Sequence, residues 1–402
     1  MYHKSYKFRL YPNKTQQAVL QNHFGACRFV YNHFLELKIK SYKETKKTIG
    51  WVDLANELPK MKQQEETKWL KEVSSIALQQ AVLHLDHAYT NFFRSGKGFP
   101  MFKSKKFSRK SYTICQTNGC VAVDYGSNRI SLPKFQKRKT CDNRIKCIFS
   151  RQLEGTIKQA TISQDSDGKY YVSILCELDG DLPIKPKISR ETARGIDFGI
   201  KTFLTFDNGT KIENPLFLKQ SLNKLKKRQQ ELAIYEKETT KYKSKRQQIA
   251  RLHSKIARQR KDFLDKLTYK LTHDSQVDTI CMEDLSMKEM QSQNNINTNR
   301  KISDLAWNAF VQMLQYKCDW YGKNLIKIGR FDPSSKTCSR CGYIKHDLTL
   351  DDREWECPEC HAKHDRDVNA AMNIKDFAIP NMTFNKKGWN DPIESRPSLV
   401  AE

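Results

Sequence analysis

The sequence predicts a multidomain protein that combines α+β and α/β architecture. An alternating strand near the N-terminus is separated from a run of short strands after residue 110 by a long stretch of helical periodicity. This pattern predicts a small β-barrel that is interrupted by a helical lobe. The second half alternates buried strands with long helices and contains two Cys-x-x-Cys pairs, which predicts a further domain with an inserted metal module.

The N-terminal half supplies the barrel and the lobe. Tyr6–Tyr11 alternates apolar with polar residues and stops at Pro12, and Asn13 is suited to cap the helix that follows. Apolar residues keep helical spacing to about Phe93, after which turn residues and a basic run lead into the short strands. The predicted barrel therefore comprises residues 1–13 and 111–185, and the helical lobe comprises residues 14–110.

The C-terminal half is predicted to form a second sheet. Gly195–Asp197 and Phe203–Phe206 have the composition of buried strands, and Asp207–Gly209 is typical of a hairpin turn. A third strand ends at Glu283. A helix begins at Asp367 and carries inner residues that let it lie close to a sheet, namely Ala370, Ala371 and Ile374. The predicted boundaries are 190–330 and 364–378 for this domain, 331–363 for the metal module and 379–402 for a flexible tail.

The charge of the chain indicates its class of partner. Its 402 residues include 71 Lys+Arg against 45 Asp+Glu, a formal net charge of +26. This excess is far more than solubility requires and predicts a polyanionic partner, for which nucleic acid fits better than a membrane surface. The N-terminus lacks an apolar signal core and no run approaches the length of a membrane span, so we expect a cytoplasmic protein without membrane contact.

Four of the twelve cysteines are spaced as ligands of one metal ion. Each Cys-x-x-Cys pair forms a turn in which two sulfurs can converge, and Gly342 and Pro358 suit such turns. Four thiolates leave no open coordination position, so we predict one structural zinc ion, with His361 and His364 outside its ligand set. The other cysteines are expected to be small buried apolar residues or idle thiols. The predicted zinc ligands are Cys338, Cys341, Cys357 and Cys360.

Three acidic residues occupy positions where a carboxylate is costly to bury. Asp197 lies between Gly195 and Gly199 on a predicted strand, Glu283 ends another strand, and Asp367 begins a helix. Any one of them is more often a cap, a turn residue or an ion-pair partner. Together they could hold two Mg²⁺ ions, with Asp197 bridging them, because hard ions require carboxylates gathered from distant parts of a chain. The set predicts a metal-dependent nuclease.

A further set of motifs runs through the chain from Tyr6 to Phe377. They are Arg9-Leu-Tyr-Pro-Asn13, Arg28-Phe-Val-Tyr-Asn32, Gly98-Phe-Pro-Met-Phe102, Gly195-Ile-Asp-Phe-Gly-Ile-Lys201, Glu283-Asp-Leu285, Pro333-Ser-Ser335, both cysteine pairs, and His364-Asp-Arg-Asp-Val-Asn-Ala-Ala-Met-Asn-Ile374. In these motifs the chain resembles TnpB, a family of transposon-encoded RNA-guided DNA nucleases related to type V CRISPR effectors. The resemblance implies a wedge β-barrel interrupted by a helical recognition lobe. A RuvC-like nuclease domain of the RNase H fold would follow, with a zinc ribbon inserted that binds target nucleic acid.

The resemblance also implies roles for individual residues. Asp197, Glu283 and Asp367 would be the catalytic residues and the Mg²⁺ ligands. The family pattern selects Asp367 over Asp365, which would be either a helper of the metal site or a helix cap. Asp284 would be a structural or supporting acid. The positions that contact the DNA motif in the family correspond to Trp51, Ser75, Gln79, Thr117 and Asn118, which have side chains able to touch adenine edges or a thymine methyl.

The implied activity is Mg²⁺-dependent cleavage of double-stranded DNA next to a short motif. A guide RNA encoded at the transposon end would select the target by base pairing, so the protein would need mostly charge directed at the phosphate backbone. The partners would be this RNA and the DNA target, and the protein itself would be a monomer. Two other functions remain open: an RNA-guided repressor without catalysis, and a zinc-containing DNA-binding accessory of transposition.

Overall fold

A computed structural model describes residues 1–136, 142–284, 296–330, 332–349 and 351–379. The chain divides into two compact units. The first comprises Met1–Asp181 together with Arg246–Arg251, and the second comprises Leu182–Lys245 and the chain from Leu252 onward. The tail predicted to be flexible lies outside the described residues except for Ile379.

The first unit begins with a strand and a set of helices. Strand β1 (Tyr2–Tyr11) leads into α1 (Lys14–Thr45), and α2 (Trp51–Met61), a 3₁₀ helix (Glu65–Glu72) and α3 (Ser75–Ser95) follow. The predicted cap at Asn13 is confirmed. Its side chain accepts from Gln16 N at 2.8 Å, while the Gln16 side chain accepts from Asn13 N at 3.0 Å.

Seven antiparallel strands form the sheet of the first unit. Besides β1 they are β2 (Lys110–Cys115), β3 (Ala122–Asp124), β4 (Arg129–Ser131), β5 (Ile145–Ile148), β6 (Thr156–Gln164) and β7 (Tyr170–Leu178). Their order is β2-β6-β7-β1-β5-β4-β3. The prediction that the N-terminal strand joins the later strands is confirmed, because β1 pairs with both β5 and β7. Side chains from this sheet and from α1 and α3 share one apolar core.

The strand order requires this sheet to curl. β2 and β3 are consecutive in the chain, yet they form opposite edges of the sheet. Seven strands laid flat would separate those edges by ~29 Å, because neighbouring strands lie about 4.8 Å apart. Instead, the Gln116 side chain after β2 accepts from Val121 N at 2.8 Å and donates to Val121 O at 2.9 Å. The strands of the predicted barrel therefore form a curled sheet, with a short loop joining its two edges.

The second unit contains a five-stranded mixed sheet. Its strands are β8 (Ala193–Phe198), β9 (Thr202–Phe206), β10 (Lys211–Glu213), β11 (Thr279–Glu283) and β12 (Asn324–Ile328), in the order β10-β9-β8-β11-β12. β8, β9 and β10 are antiparallel, whereas β8, β11 and β12 run parallel. The predicted turn at Asp207–Gly209 joins β9 to β10, and Gly209 has a φ of 81° that suits glycine.

Five helices accompany this sheet in the described part of the second unit. They are α4 (Phe217–Ala233), α5 (Thr240–Thr272), α6 (Ile296–Leu305), α7 (Trp307–Trp320) and α8 (Arg366–Ala378). One face packs its core against α5 and α7, including Phe310 and Leu264, while the other face packs against α8 through Ile374. A short hairpin of β13 (Glu354–Glu356) and β14 (Lys363–Asp365) precedes α8. None of the described helices combines the length and apolar character that a membrane span requires.

Candidate functional site

Strand register places Asp197 and Glu283 side by side. β8 and β11 are parallel, and Ile196 pairs with Met282, so the next residues along the two strands are neighbours. Alternation of side chains sends Ile196 and Met282 into the apolar core on one face. Asp197 and Glu283 therefore lie on the opposite face, at the carboxyl ends of two central strands.

Helix α8 lies against this second face at close range. A Cβ atom at Gly195 would collide with the carbonyl oxygen of Ala371 and would come within 3.0 Å of Lys375 Cβ. Only glycine therefore fits there, two residues before Asp197 on the same face of the strand. Ala370, Ala371 and Ile374 are fully or almost fully buried, as predicted for the inner side of this helix.

The N-terminus of α8 distinguishes Asp365 from Asp367. Asp365 caps the helix, because its Oδ1 accepts from Asp367 N at 3.1 Å and from Val368 N at 3.0 Å. Its Oδ2 accepts from Lys211 Nζ at 2.6 Å. Burial alone would raise the pKa of Asp365, but the bonds from Lys211 and the two amides outweigh burial and lower it. Both Asp365 oxygens thus have partners within the protein, whereas Asp367 has a looser ion pair with Arg353 at 3.8 Å.

The three acids repel one another. Burial raises the pKa of Asp197 well above its ordinary value, and the nearby carboxylates of Glu283 and Asp367 raise it further. Burial also raises the pKa of Glu283, with Asp332 adding to the effect and a hydrogen bond from Ser334 opposing it. Negative charge is therefore concentrated at one point of the sheet without enough positive charge to balance it. A bound cation would relieve this repulsion.

The three acids are spaced more widely than the ligands of the cysteine cluster. In the described ranges, one group of three or more metal-ligating side chains has all its ligand atoms within 4.8 Å of one another, and that group is the four cysteines. The ligand atoms of the three acids are therefore not all within that distance of one another. Carboxylates that hold a single ion must converge more tightly than this. Two ions about 3.5–4 Å apart require a wider separation between their outer ligands.

Ser334 and two asparagines link the acids to the following loop, which sequence reasoning missed. Ser334 Oγ donates to Glu283 Oε1 at 2.5 Å. Asn373 on α8 donates to Ser334 O at 2.7 Å, and Asn369 donates to Thr337 O at 2.7 Å. Both asparagines are buried on one side of α8. Their spacing of four residues within His364–Ile374, together with Pro333-Ser-Ser335, was the available signal.

The four cysteines meet at one point, as their spacing predicts. All their sulfurs lie within 4.8 Å of one another, with Cys338 Sγ 3.7 Å from Cys360 Sγ and Cys341 Sγ 3.5 Å from Cys357 Sγ. A tetrahedral zinc ion with Zn–S bonds of about 2.3 Å places its sulfurs ~3.8 Å apart. The donor set and its spacing therefore fit a zinc ion.

Two similar turns position these sulfurs. Gly342 N donates to Cys338 O at 2.8 Å, and His361 N donates to Cys357 O at 2.9 Å. Gly342 and His361, each directly after its second cysteine, have φ values of 82° and 55°. His361 therefore continues the turn and is exposed, while its ring lies outside the cysteine cluster.

His364, which the sequence places outside the zinc ligand set, lies in contact with the cysteine cluster. Its Nε2 is 3.0 Å from Cys338 Sγ, and its ring contacts Trp355 at 4.7 Å between centroids. His364 belongs to β14, and Asp365 and α8 follow directly. The cysteine cluster is thus connected to the helix that carries Asp367.

The five residues predicted to contact a DNA motif lie in the first unit. Trp51 is 41% exposed at the start of α2, and Ser75 and Gln79 are exposed near the start of α3. Ser75 Oγ accepts from Lys62 Nζ at 2.6 Å. Thr117 and Asn118 are exposed in the loop that joins β2 to β3. All five are accessible, and the structure places them on three separate segments.

Three family models match the chain. The model described as "Helix-turn-helix domain" matches residues 1–47, "Probable transposase" matches residues 173–294, and "Cas12f1-like, TNB domain" matches residues 307–374. In this structure residues 1–47 form a strand and a single long helix. The other two matches contain Asp197 and Glu283, and Asp367 with the four cysteines, respectively.

Relatives match over most of their length. The "Putative RNA-guided DNA endonuclease" of Streptomyces pristinaespiralis is 37% identical over 92% of this chain and 88% of its own. The "Putative RNA-guided DNA endonuclease InsQ" of Escherichia coli K12 is 31% identical over 92% of this chain and 91% of its own. The chain belongs to the TnpB family. Matches to TnpB-like proteins of Acanthamoeba polyphaga mimivirus also cover 92% of this TnpB-family chain, at 25–26% identity.

The similarity of this chain to solved structures is weaker than its similarity to these relatives. The "mini-RNA-guided endonuclease CRISPR-Cas_phi3" covers 94% of this chain and 92% of its own, with 8% identity and a TM-score of 0.46. A chain of the "Cas12f1-sgRNA-target DNA complex" covers 94% of this chain and all of its own, with 15% identity and a TM-score of 0.35. The family assignment depends on the sequence relatives and not on these structures.

Proposed function

We propose that this TnpB-family chain is an RNA-guided, Mg²⁺-dependent endonuclease that cuts double-stranded DNA beside a short motif. The guide would be an RNA from the transposon end. The observation that carries the proposal is the convergence of Asp197, Glu283 and Asp367 on one face of the mixed sheet, where the pKa of Asp197 is raised despite a backbone hydrogen bond at Phe198 and the nearby charge of Arg366. The names of the relatives from Streptomyces and Escherichia support the same activity.

The mixed sheet would then be the RuvC-like nuclease domain. It has three antiparallel strands followed by two parallel ones, and the carboxyl ends of the central pair carry two of the three acids. We assign residues 190–330 and 364–378 to this domain and residues 331–363 to an inserted zinc ribbon. The cysteines would hold zinc for structure, because four sulfurs leave no site for a substrate.

The acids would hold two Mg²⁺ ions. When bound, the ions would activate water and stabilise the leaving oxygen of the phosphodiester. The carboxylates of Glu283 and Asp367 both raise the pKa of Asp197. Asp197 is therefore the natural ligand to be shared by the two ions. Ser334 would keep the carboxylate of Glu283 oriented, and Asp365 would hold the start of α8 so that Asp367 faces Asp197.

Motif recognition is assigned to the first unit. Exposed side chains at Trp51, Ser75, Gln79, Thr117 and Asn118 would face the duplex, where amide and hydroxyl groups can hydrogen-bond to base edges. The remaining contacts would go to phosphates, consistent with the charge of +26. One protein molecule carries one acid set, so we propose a monomer in a ribonucleoprotein.

The test separates binding from cutting. Asp197→Ala should reduce cleavage of a guide-matched duplex by at least about 1000-fold, because ion binding contributes several kcal/mol to transition-state stabilisation. Guide-dependent binding of the same duplex should remain. Asp262→Asn is the matched control, since Asp262 is an exposed acid on α5 that pairs with Lys266. Cleavage by Asp197→Ala near the unmodified rate would overturn the assignment of the site.

A further inference from the structure

A cavity in the first unit collects positive charge without acidic partners. Its volume is about 60 Å³, several times the ~10–15 Å³ that a cavity needs to hold one water, and it lies between α1, α3 and β2. Arg28, Lys103, Arg109 and Lys110 contribute to its lining, and none of the described lining residues is acidic. Across the described part of the chain, none of these four cations lies within 4.0 Å of a carboxylate.

Neutral groups position the two lysines of this cavity. Lys103 Nζ lies 3.6 Å from the ring centroid of Tyr31, and the Lys103 backbone is held at both N–H and C=O by the side chain of Asn32, at 2.8 and 2.9 Å. Lys110 Nζ donates to the amide oxygens of Gln21 and Gln164 at 3.3 and 3.2 Å. These partners fix the ammonium groups in place and leave their charge uncompensated.

The electrostatics of the cavity favour an anion. Burial lowers the pKa of Lys103, and no carboxylate offsets it. Burial also lowers the pKa of Lys110, with Lys105 and Arg28 adding repulsion. Concentrating cations in this way costs free energy unless an anion is bound. Several donors around one cavity match the oxygens of a phosphate group.

The neighbouring elements indicate where such a phosphate comes from. Ala77 and Ala81 of α3 line the cavity, and the same helix exposes Gln79. Ser111 and Thr113 of β2 line it as well, and β2 leads into the loop that exposes Thr117 and Asn118. The cavity thus lies on α3, which carries two of the proposed motif contacts, and on β2, which leads into the loop that carries two more.

We infer that this cavity binds a backbone phosphate of the target DNA duplex beside the recognised motif. The inference rests on the proposed function, because it takes the duplex as the partner. It assigns Lys103 and Lys110 as the groups that hold the phosphate, with Arg28 and Arg109 at its margin. The contact carries no sequence information and would fix the position of the duplex.

The test is the salt dependence of binding. The double variant Lys103→Gln/Lys110→Gln, loaded with guide RNA, should bind a matched duplex about tenfold more weakly, with a slope of log affinity against log salt that is shallower by about one. Lys103→Arg/Lys110→Arg should keep the slope. Lys106→Gln is the control, because Lys106 is exposed on the same segment and lies over Phe107. Thermal unfolding of each variant verifies that it is folded.

Each alternative outcome counts against the inference. An unchanged slope for the double variant would show that no phosphate is bound there. A shallower slope for binding of guide RNA alone, with DNA binding unaffected, would assign the cavity to RNA and overturn the DNA source. If the unmodified protein shows no guide-dependent binding, the proposed function fails. The salt slope on non-specific duplex then still tests the cavity.

Discussion

The two candidate metal centres of the second unit are built in opposite ways. The cysteine ligands fall between residues 338 and 360, and two similar turns bring their sulfurs within 4.8 Å. The acids come from residues as far apart as Asp197 and Asp367, on two strands and a helix, and they repel one another. Local chain geometry therefore accounts for the first centre, whereas the second depends on the packing of the whole unit.

This difference teaches what each centre can do. A closed set of four sulfurs stabilises the fold around it and leaves no position for a substrate. Carboxylates held in place on a sheet remain able to bind ions, as a catalytic site requires. While no ion is bound, the repulsion between them lowers the stability of the folded protein. The contact between His364 and Cys338, and the bond from Ser334 to Glu283, connect the two centres.

Removing one sulfur should break the cysteine centre completely. Cys357→Ser is expected to lose bound zinc, and residues 332–363 should unfold locally, because zinc supplies about 10 kcal/mol or more to small modules of this kind. Zinc content and hydrogen exchange across these residues are the measurements. Cys120→Ser, a change at a half-buried cysteine of the first unit, should retain zinc. A stoichiometric zinc content in Cys357→Ser would contradict the four-sulfur site.

Removing the hydroxyl of Ser334 should affect the acidic centre alone. Ser334→Ala leaves Glu283 without its donor, so we expect the Mg²⁺ concentration for half-maximal cleavage to rise about 10–100-fold. Zinc content should stay the same. Ser335→Ala, one residue along the chain, is the matched control. The same Mg²⁺ dependence in Ser334→Ala and the control would show that this bond does not orient the carboxylate.

Removing one negative charge should stabilise the acidic centre when no ions are bound. A raised pKa means that folded Asp197 holds its proton at pH values where the unfolded side chain has lost it, so folded stability falls as pH rises above about 4. Asp197→Asn removes this loss. The variant should therefore melt a few degrees higher than the unmodified protein in metal-free neutral buffer, a scale of roughly 1 kcal/mol.

The sign of this effect should reverse when ions are present. Mg²⁺ stabilises the folded protein through the acids, and Asp197→Asn weakens that binding. At pH values below about 4 the two proteins should melt alike, because Asp197 is protonated in both states. Asp262→Asn should show neither effect, since Asp262 is exposed. A lower melting temperature for Asp197→Asn in metal-free neutral buffer would argue against repulsion at this site.

Local signals explain what the sequence could predict. The cap at Asn13, the hairpin turn at Asp207–Gly209 and the close-packed inner side of α8 follow from residue types at fixed spacing. The convergence of the cysteines follows in the same way. Each of these features depends on residues that are near one another in the chain.

The features that the sequence did not predict depend on contacts between distant segments of the chain. Ser334 and Glu283 are 51 positions apart, and no periodic pattern connects them. Composition and spacing alone do not separate Asp365 from Asp367, because both are acids at the start of one helix. The family resemblance selects Asp367, and the structure adds that Asp365 is bonded to Lys211 and to the helix amides. The placement of β2 and β3 at opposite edges likewise depends on the path of the whole chain.

The position of α8 near the end of the chain has a consequence for synthesis. A ribosome that has passed Glu283 still has to add the residues up to Asp367, which takes about 4–17 s at roughly 5–20 residues per second. Until then the sheet carries two of its acids, and the last zinc ligand, Cys360, is added only seven residues before Asp367. A chain terminated early in this interval would keep the whole first unit, with the exposed side chains that we propose to face the motif, and would lack the third acid.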